Sequence, residues 1–324
     1  MTRIVPLDPT SYGRHSLHTD PRAWPETNCY SDVIIELLHA LGREPVAGLA
    51  FSVAIDFEGD QWTFFKFPHA DLLDLYGFDI QELAVWRPLT DHIADLVAAG
   101  RPVLVELDSY FLPDTVGSVY RRAHVKSTVA VNEIDIETAR LGYFHNQGYY
   151  VLEGVDFSDV FQVNGLVNER MLPPYFEYVK IRPDYEAPSA PVLLEKSLAT
   201  LRRHVGRAPT DNPFVRFQTG FRKDLDWLMS SSIETFHAYS FATLRQYGAC
   251  YELSDTYLRW LSAQGIEGLT DAAAAFQSIA QGAKSFQFNL ARSMARKRPL
   301  DLSPLDVMAE QWAEGMSLLR RRCT

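Results

Sequence analysis

Between Ile181 and Pro191 the chain reads Ile-Arg-Pro-Asp-Tyr-Glu-Ala-Pro-Ser-Ala-Pro, and this stretch most constrains the fold. Prolines 183, 188 and 191 deny their own backbone N–H groups to any ladder and clash with a continuing helix. Neither strand nor helix is expected to pass through. The two sides also differ in pattern. Before the break, 102–107 is a short apolar run suited to a buried strand, 125–131 alternates, and 141–145 reads as a returning strand; 71–76 and 89–99 have helical spacing. Runs 49–55 and 62–67 are further strand candidates, with helix as the alternative. Beyond the break every segment has helical period: 192–205, 213–229, 233–246, 256–264, 271–295 and 304–321. No repeat of solenoid period is present. The expected organisation is therefore a mixed α and β domain over 1–185 and an α-helical bundle over 186–324.

Charge divides at the same place. Residues 1–185 carry 14 Lys and Arg against 27 Asp and Glu, while 186–324 carry 17 against 14, so an acidic chain of net charge −10 has a basic helical half. Arg202-Arg203, Arg292, Arg296-Lys297-Arg298 and Arg320-Arg321-Arg322 offer a surface for an acidic partner, or are cationic helix ends favoured by the dipole. Net charge and the lack of an aromatic-basic motif argue against nucleic acid. No apolar run approaches membrane-spanning length and the first residues do not open a signal peptide, so a soluble, cytoplasmic protein without a membrane partner is expected. Cys29, Cys250 and Cys323 have no paired spacing. Neither His-Glu-x-x-His nor Cys-x-x-Cys occurs, so no metal site is expected.

Chemistry concentrates at Trp24-Pro25-Glu26-Thr27-Asn28-Cys29. Pro25 interrupts any earlier helix, Thr27 or Asn28 can cap a new one, and Val33, Ile34, Leu37, Leu38 and Leu41 follow at helical spacing until Gly42. Cys29 thus belongs to a first helical turn, where unpaired N–H groups and the macrodipole favour a thiolate nucleophile. The alternative is a small buried hydrophobe. A second cluster spans His124 to Asn146. If the hairpin is centred on Asp135, His124 and Asn146 face each other, and a one-residue slip substitutes His145. An imidazole oriented by a neighbouring amide and supplied with a thiol is the arrangement of thiol acyl-transfer sites. The 102–107 strand delivers Asp108 and Tyr110 to its end, as substrate contacts or as turn residues.

Asn28-Cys29-Tyr30, Leu107-Asp108-Ser109-Tyr110-Phe111-Leu112-Pro113, Tyr120-Arg121-Arg122-Ala123-His124 and Gly142-Tyr143-Phe144-His145-Asn146 together resemble a bacterial family, domain of unknown function 1839. More distantly the chain is similar over about 24–160 to the N-terminal domain of the butirosin-biosynthesis H-type acyltransferases, which is papain-like. The resemblance implies an α+β, papain-like N-terminal domain with a mainly antiparallel sheet. It implies Cys29 as nucleophile, His124 as base and Asn146 as orienter, with Asn28, Asp108, Tyr110 and His145 near substrate. It implies an acyl or aminoacyl group on the phosphopantetheine arm of a carrier protein, an amine acceptor and no bound cofactor. Two other readings use the same shell: a cysteine peptidase or amidase, and a catalytically silent carrier-protein binding module. Ala23 stands where papain-type peptidases carry glutamine, and their Cys-Gly-Ser-Cys-Trp signature is absent, which weighs against peptidase activity.

Overall fold

The computed structural model describes residues 2–19, 21–163, 174–182 and 184–323. Pro183 of the proline-rich break lies outside them. Two compact units emerge, and neither is a contiguous half: Met1–Thr19, Asn28–Pro45 and His69–Ala187 form the first, while Asp20–Thr27, Val46–Pro68 and Pro188–Thr324 form the second.

The first unit is built on a sheet of seven strands, all pairings antiparallel. Its strands are β1 (Thr2–Arg3), β2 (Phe78–Glu82), β3 (Val103–Asp108), β4 (Lys126–Asp135), β5 (Arg140–His145), β6 (Gly148–Glu153) and β7 (Phe176–Ile181). They run in the order β2-β7-β3-β4-β5-β6, with β1 added to β4. Helices α1 (Cys29–Ala40), α2 (His69–Tyr76), α3 (Leu89–Ala98) and α4 (Val155–Val160) accompany it. Strand alternation sends Val103, Val105, Leu107, Val129, Val131 and Tyr143 into one core with Ile93 and Val97 of α3. Helix α1 packs on β4, β5 and β6. It begins where expected, because the Asn28 side chain accepts from Ser31 N at 3.0 Å. It ends in a left-handed Gly42, with Arg43 N bonded to Leu38 O at 2.9 Å, a Schellman closure. Val33, Ile34, Ile35, Leu37 and Leu38 are buried; their transfer from water is worth on the order of 10 kcal/mol before entropy is counted.

The same helix buries two carboxylates, Asp32 and Glu36, each 0% exposed. His18 lies between them, Nδ1 2.5 Å from Glu36 Oε1 and Nε2 3.3 Å from Asp32 Oδ1. Tyr12 OH and His15 N also donate to Glu36. Burial opposes charge on His18, but its bonds to Asp32 and Glu36 prevail and push its pKa up to about 9. This cluster staples the segment 12–18 onto α1.

The run 49–55, a strand candidate, falls almost wholly in turns of 3-10 helix over Pro45–Ala54, and 62–67 contribute only a bridge between Trp62 and Phe57. Val46, Ala47, Leu49, Ala50, Phe51 and Val53 are all buried, and a segment enclosed on every side loses the periodicity that separates strand from helix. From Val46 onward both segments belong to the second unit. Its helices are α5 (Ala190–Arg207), α6 (Pro213–Ser230), α7 (Ile233–Ser240), α8 (Gln246–Ala263), α9 (Thr270–Arg296) and α10 (Ser303–Cys323). Helix α8 starts ten residues before the expected 256, and a π-helical turn over Phe241–Arg245 joins it to α7. Among the described residues no helix is long and apolar enough to cross a membrane.

Candidate functional site

The β4–β5 register decides which groups meet. Ala130 pairs with Phe144 and Val131 with Tyr143, and a bulge between Val131 and Glu133 advances the remaining pairs to Ile134 with Leu141 and Asp135 with Arg140. The hairpin is therefore not centred on Asp135. Asp135 accepts from Glu137 N and Thr138 N through Oδ1, at 3.1 and 3.2 Å, which moves the turn beyond it. The bulge has a purpose of its own: Asn132 bonds Val5 N and O at 2.9 Å, fixing the N-terminal strand against β4.

Consequently His124 and Asn146 are not cross-strand neighbours. His124 precedes β4, and Asn146 sits in the β5–β6 turn with φ +46°, a left-handed position Asn tolerates well. His124 has another partner. Its Nδ1 is 2.6 Å from Asp108 Oδ2, while Asp108 Oδ1 accepts from Tyr110 N at 3.0 Å. The Tyr110 ring stacks on the imidazole, centroids 4.4 Å apart and planes 12° from parallel. An Nδ1–H donated to the carboxylate leaves Nε2 free to take a proton, and the side chain is 70% exposed. Arg121 reinforces the arrangement: its N donates to Tyr110 O, its guanidinium lies over Tyr110 and Phe111, and it pairs with Asp156 and Asp159 of α4.

Cys29 is the first residue of α1 and is half-buried. Asn28 is buried and its carboxamide oxygen serves as the helix cap, which accounts for it without a substrate. The neighbouring Tyr30 hydroxyl donates to Glu177 at 3.0 Å and meets His69 at 2.8 Å. Among the described residues no hydrogen bond or ion pair joins the Cys29 thiol to His124.

His145 belongs to a second, interior chain. Its Nε2 is 2.7 Å from Ser127 Oγ and its Nδ1 2.6 Å from Asp114 Oδ2, whose Oδ1 accepts from Tyr143 OH at 2.5 Å. Burial and the Asp114 charge push the Tyr143 phenol well up, so it stays a donor. The sequence of hydroxyl, imidazole and carboxylate is that of a serine triad, yet His145 and Asp114 side chains are 1% and 3% exposed. The chain fixes the turn at Pro113–Thr115, and through it the loop running from Asp108 to His124. Neither Asp114 nor Ser127 stood out in the sequence. Asp114 lies next to Pro113 and reads as a turn former, and Ser127 reads as one more residue of an alternating strand.

The described residues contain no cluster of three or more His, Cys, Asp or Glu that could hold a metal ion. No curated protein matches the chain. Family models do match: the DUF1839 N-terminal domain over residues 13–181 and the DUF1839 C-terminal domain over 190–321. Together they cover both units, and the chain belongs to the DUF1839 family.

Proposed function

We propose that this protein is a cysteine-dependent acyltransferase with a papain-like N-terminal unit, in which Cys29 is the nucleophile, His124 the base and Asp108 the group that orients it. The observation that carries the reading is the His124–Asp108 pair at 2.6 Å, which directs Nε2 outward as a proton acceptor in the unit that also carries a half-buried cysteine at a helix start. Asp108 takes the part that Asn146 was expected to play, and its negative charge stabilises the imidazolium more than a carboxamide would.

The donor is an acyl or aminoacyl thioester on the phosphopantetheine arm of a carrier protein, and the acceptor is a small-molecule amine. His124 removes the Cys29 proton, the thiolate attacks the thioester carbonyl, and the Cys29 backbone N–H stabilises the oxyanion. The carbon–sulfur bond of the donor then breaks, and the pantetheine thiolate leaves with the proton from His124. The amine attacks the acyl-enzyme, His124 accepts its proton, and the amide departs as the Cys29 thiol is restored. No bound cofactor takes part.

The test is intact-mass analysis of the full chain after incubation with acylated carrier proteins. A mass gain equal to the acyl group, lost in Cys29→Ala and slowed in His124→Ala, supports the reading. A gain that survives Cys29→Ala, or none with any thioester donor, overturns it.

A further inference from the structure

Helix α1 is tied to the sheet at its first turn by one side chain. Tyr30, the residue after Cys29, is 3% exposed, and its hydroxyl donates to Glu177 Oε2 of β7 at 3.0 Å. That leaves the phenol oxygen as the acceptor for His69, the first residue of α2, whose Nε2 lies 2.8 Å away with the two rings stacked 22° from parallel. Tyr175 donates to the other carboxylate oxygen, Oε1, at 2.8 Å. Every proton in the chain therefore points towards Glu177. Burial and the Glu177 charge push the Tyr30 phenol well up, so it stays a donor.

Glu177 is a costly anchor. It is 3% exposed, it stands between Glu82 of β2 and Leu104 of β3, and its only ion-pair partner among the described residues is His69, 3.7 Å away with a side chain 44% exposed. Buried ionic groups of this kind often stabilise a fold less than apolar side chains of the same volume, and what they supply is a fixed geometry. The geometry fixed here is that of a helix start. One residue along an α-helix is a rise of about 1.5 Å and a rotation of about 100°. Holding the Tyr30 hydroxyl to an interior strand thus fixes the rotation of the first turn about its axis, and with it the direction of the Cys29 Cα–Cβ bond and backbone N–H. The Asn28 cap keeps that turn from unwinding but does not set its rotation. The Tyr12 and His18 contacts act one and two turns further on, at Asp32 and Glu36.

We propose that Tyr30, oriented by Glu177 and His69, is the positioning residue that aims the Cys29 thiol. This role rests on Cys29 being the nucleophile and is independent of which acyl donor the thiol takes. Tyr30 touches no reacting atom; it acts through the helix start that it holds.

The test is the rate at which iodoacetamide alkylates Cys29 in the full chain, read by peptide mass mapping across the pH range in which a thiol titrates, with Cys323, the other half-buried cysteine, as internal control. Tyr30→Phe keeps the ring and the Glu177 charge and removes only the hydroxyl; Glu177→Gln removes the charge and keeps an acceptor for that hydroxyl. With the tether cut in Tyr30→Phe, Cys29 alkylation slows by about five- to tenfold, the rate equivalent of one hydrogen bond. Its half-maximal pH moves up towards the ~8.5 of a free thiol, while Cys323 is unchanged. Glu177→Gln stays within about twofold of wild type. Wild-type Cys29 kinetics in Tyr30→Phe overturn the positioning role, and so does a change that Cys323 shares, since that reports a loosened fold. A change confined to Glu177→Gln overturns it too, because the effect is then one of charge. Alkylation requires no carrier protein: slowed alkylation in Tyr30→Phe beside a Cys29 that no thioester acylates retains the positioning role and rejects acyl transfer, and the converse pair of results rejects the role alone.

Discussion

The His18 staple makes a quantitative prediction about pH. In the unfolded chain a histidine titrates near 6.5, whereas between Asp32 and Glu36 it holds its proton up to about 9. A group whose folded pKa is raised contributes stability that is complete below the unfolded value and is lost as pH climbs through the folded one. The window is therefore pH 6.5 to about 9. The shift of about 2.5 units corresponds to roughly 3 kcal/mol, or about 10 °C in the unfolding midpoint of a domain this size. The direct assay is an NMR titration of the imidazole Cε1–H, expected to show His18 still protonated at pH 8. The energetic assay is thermal unfolding from pH 6 to 9.5 for the wild-type chain and for His18→Gln. Substitution leaves Asp32 and Glu36 buried without their cation, so the variant is destabilised by about 3–5 kcal/mol at neutral pH. Its pH profile also differs: with no imidazolium to lose, the excess decline above pH 6.5 vanishes. Parallel profiles for the two proteins between pH 6.5 and 9, or an imidazole that titrates near 6.5, would refute the argument.

Three further outcomes follow from named contacts. Asp108→Asn should slow acylation of Cys29 by tenfold or more while Asn146→Ala leaves it within about twofold, since Asp108 and not Asn146 bonds the imidazole; single-turnover mass measurements distinguish them. Asp114→Asn removes the charge that His145 and Tyr143 share in the interior and is expected to cost about 3 kcal/mol in urea unfolding. Gly142→Ala would place a Cβ 2.2 Å from Tyr149 OH and 3.0 Å from Glu133 Cβ, so the β5–β6 pairing must yield, with a loss of about 1–3 kcal/mol by the same assay.

Local signals carried the helices well. The caps of α1 were readable because a side-chain acceptor and a left-handed glycine act within a few residues of the element they bound. The C-terminal helices were readable from period, and the stretch missed, 247–255, lies in α8, where residues 246–251 and 253–255 are all buried and leave no face pattern to read. The strand candidates 49–55 and 62–67 failed for a further reason. They are separated by more than a hundred residues from the helices of their own unit, and total enclosure of an apolar run leaves no face pattern to read. Chain position places them in the N-terminal half, and only tertiary packing assigns them to the helical unit.

At the candidate site, the residue types were legible and their pairing was not, because pairing depends on two small backbone events. One is the Asx turn at Asp135 and the other the bulge at Asn132. In a hairpin, displacing the centre by one residue shifts the cross-strand partner by two, so these two events suffice to carry Asn146 away from His124. Asp108 escapes that sensitivity. It stands at the end of β3, opposite Lys126, and the β3–β4 pairing runs without a bulge from Val103–Val131 to Asp108–Lys126. A carboxylate at that strand end lies within reach of a histidine two residues before Lys126 whatever happens at the far end of β4. The partner of His124 was thus fixed by the regular ladder, while the candidate taken from the hairpin depended on its irregular one.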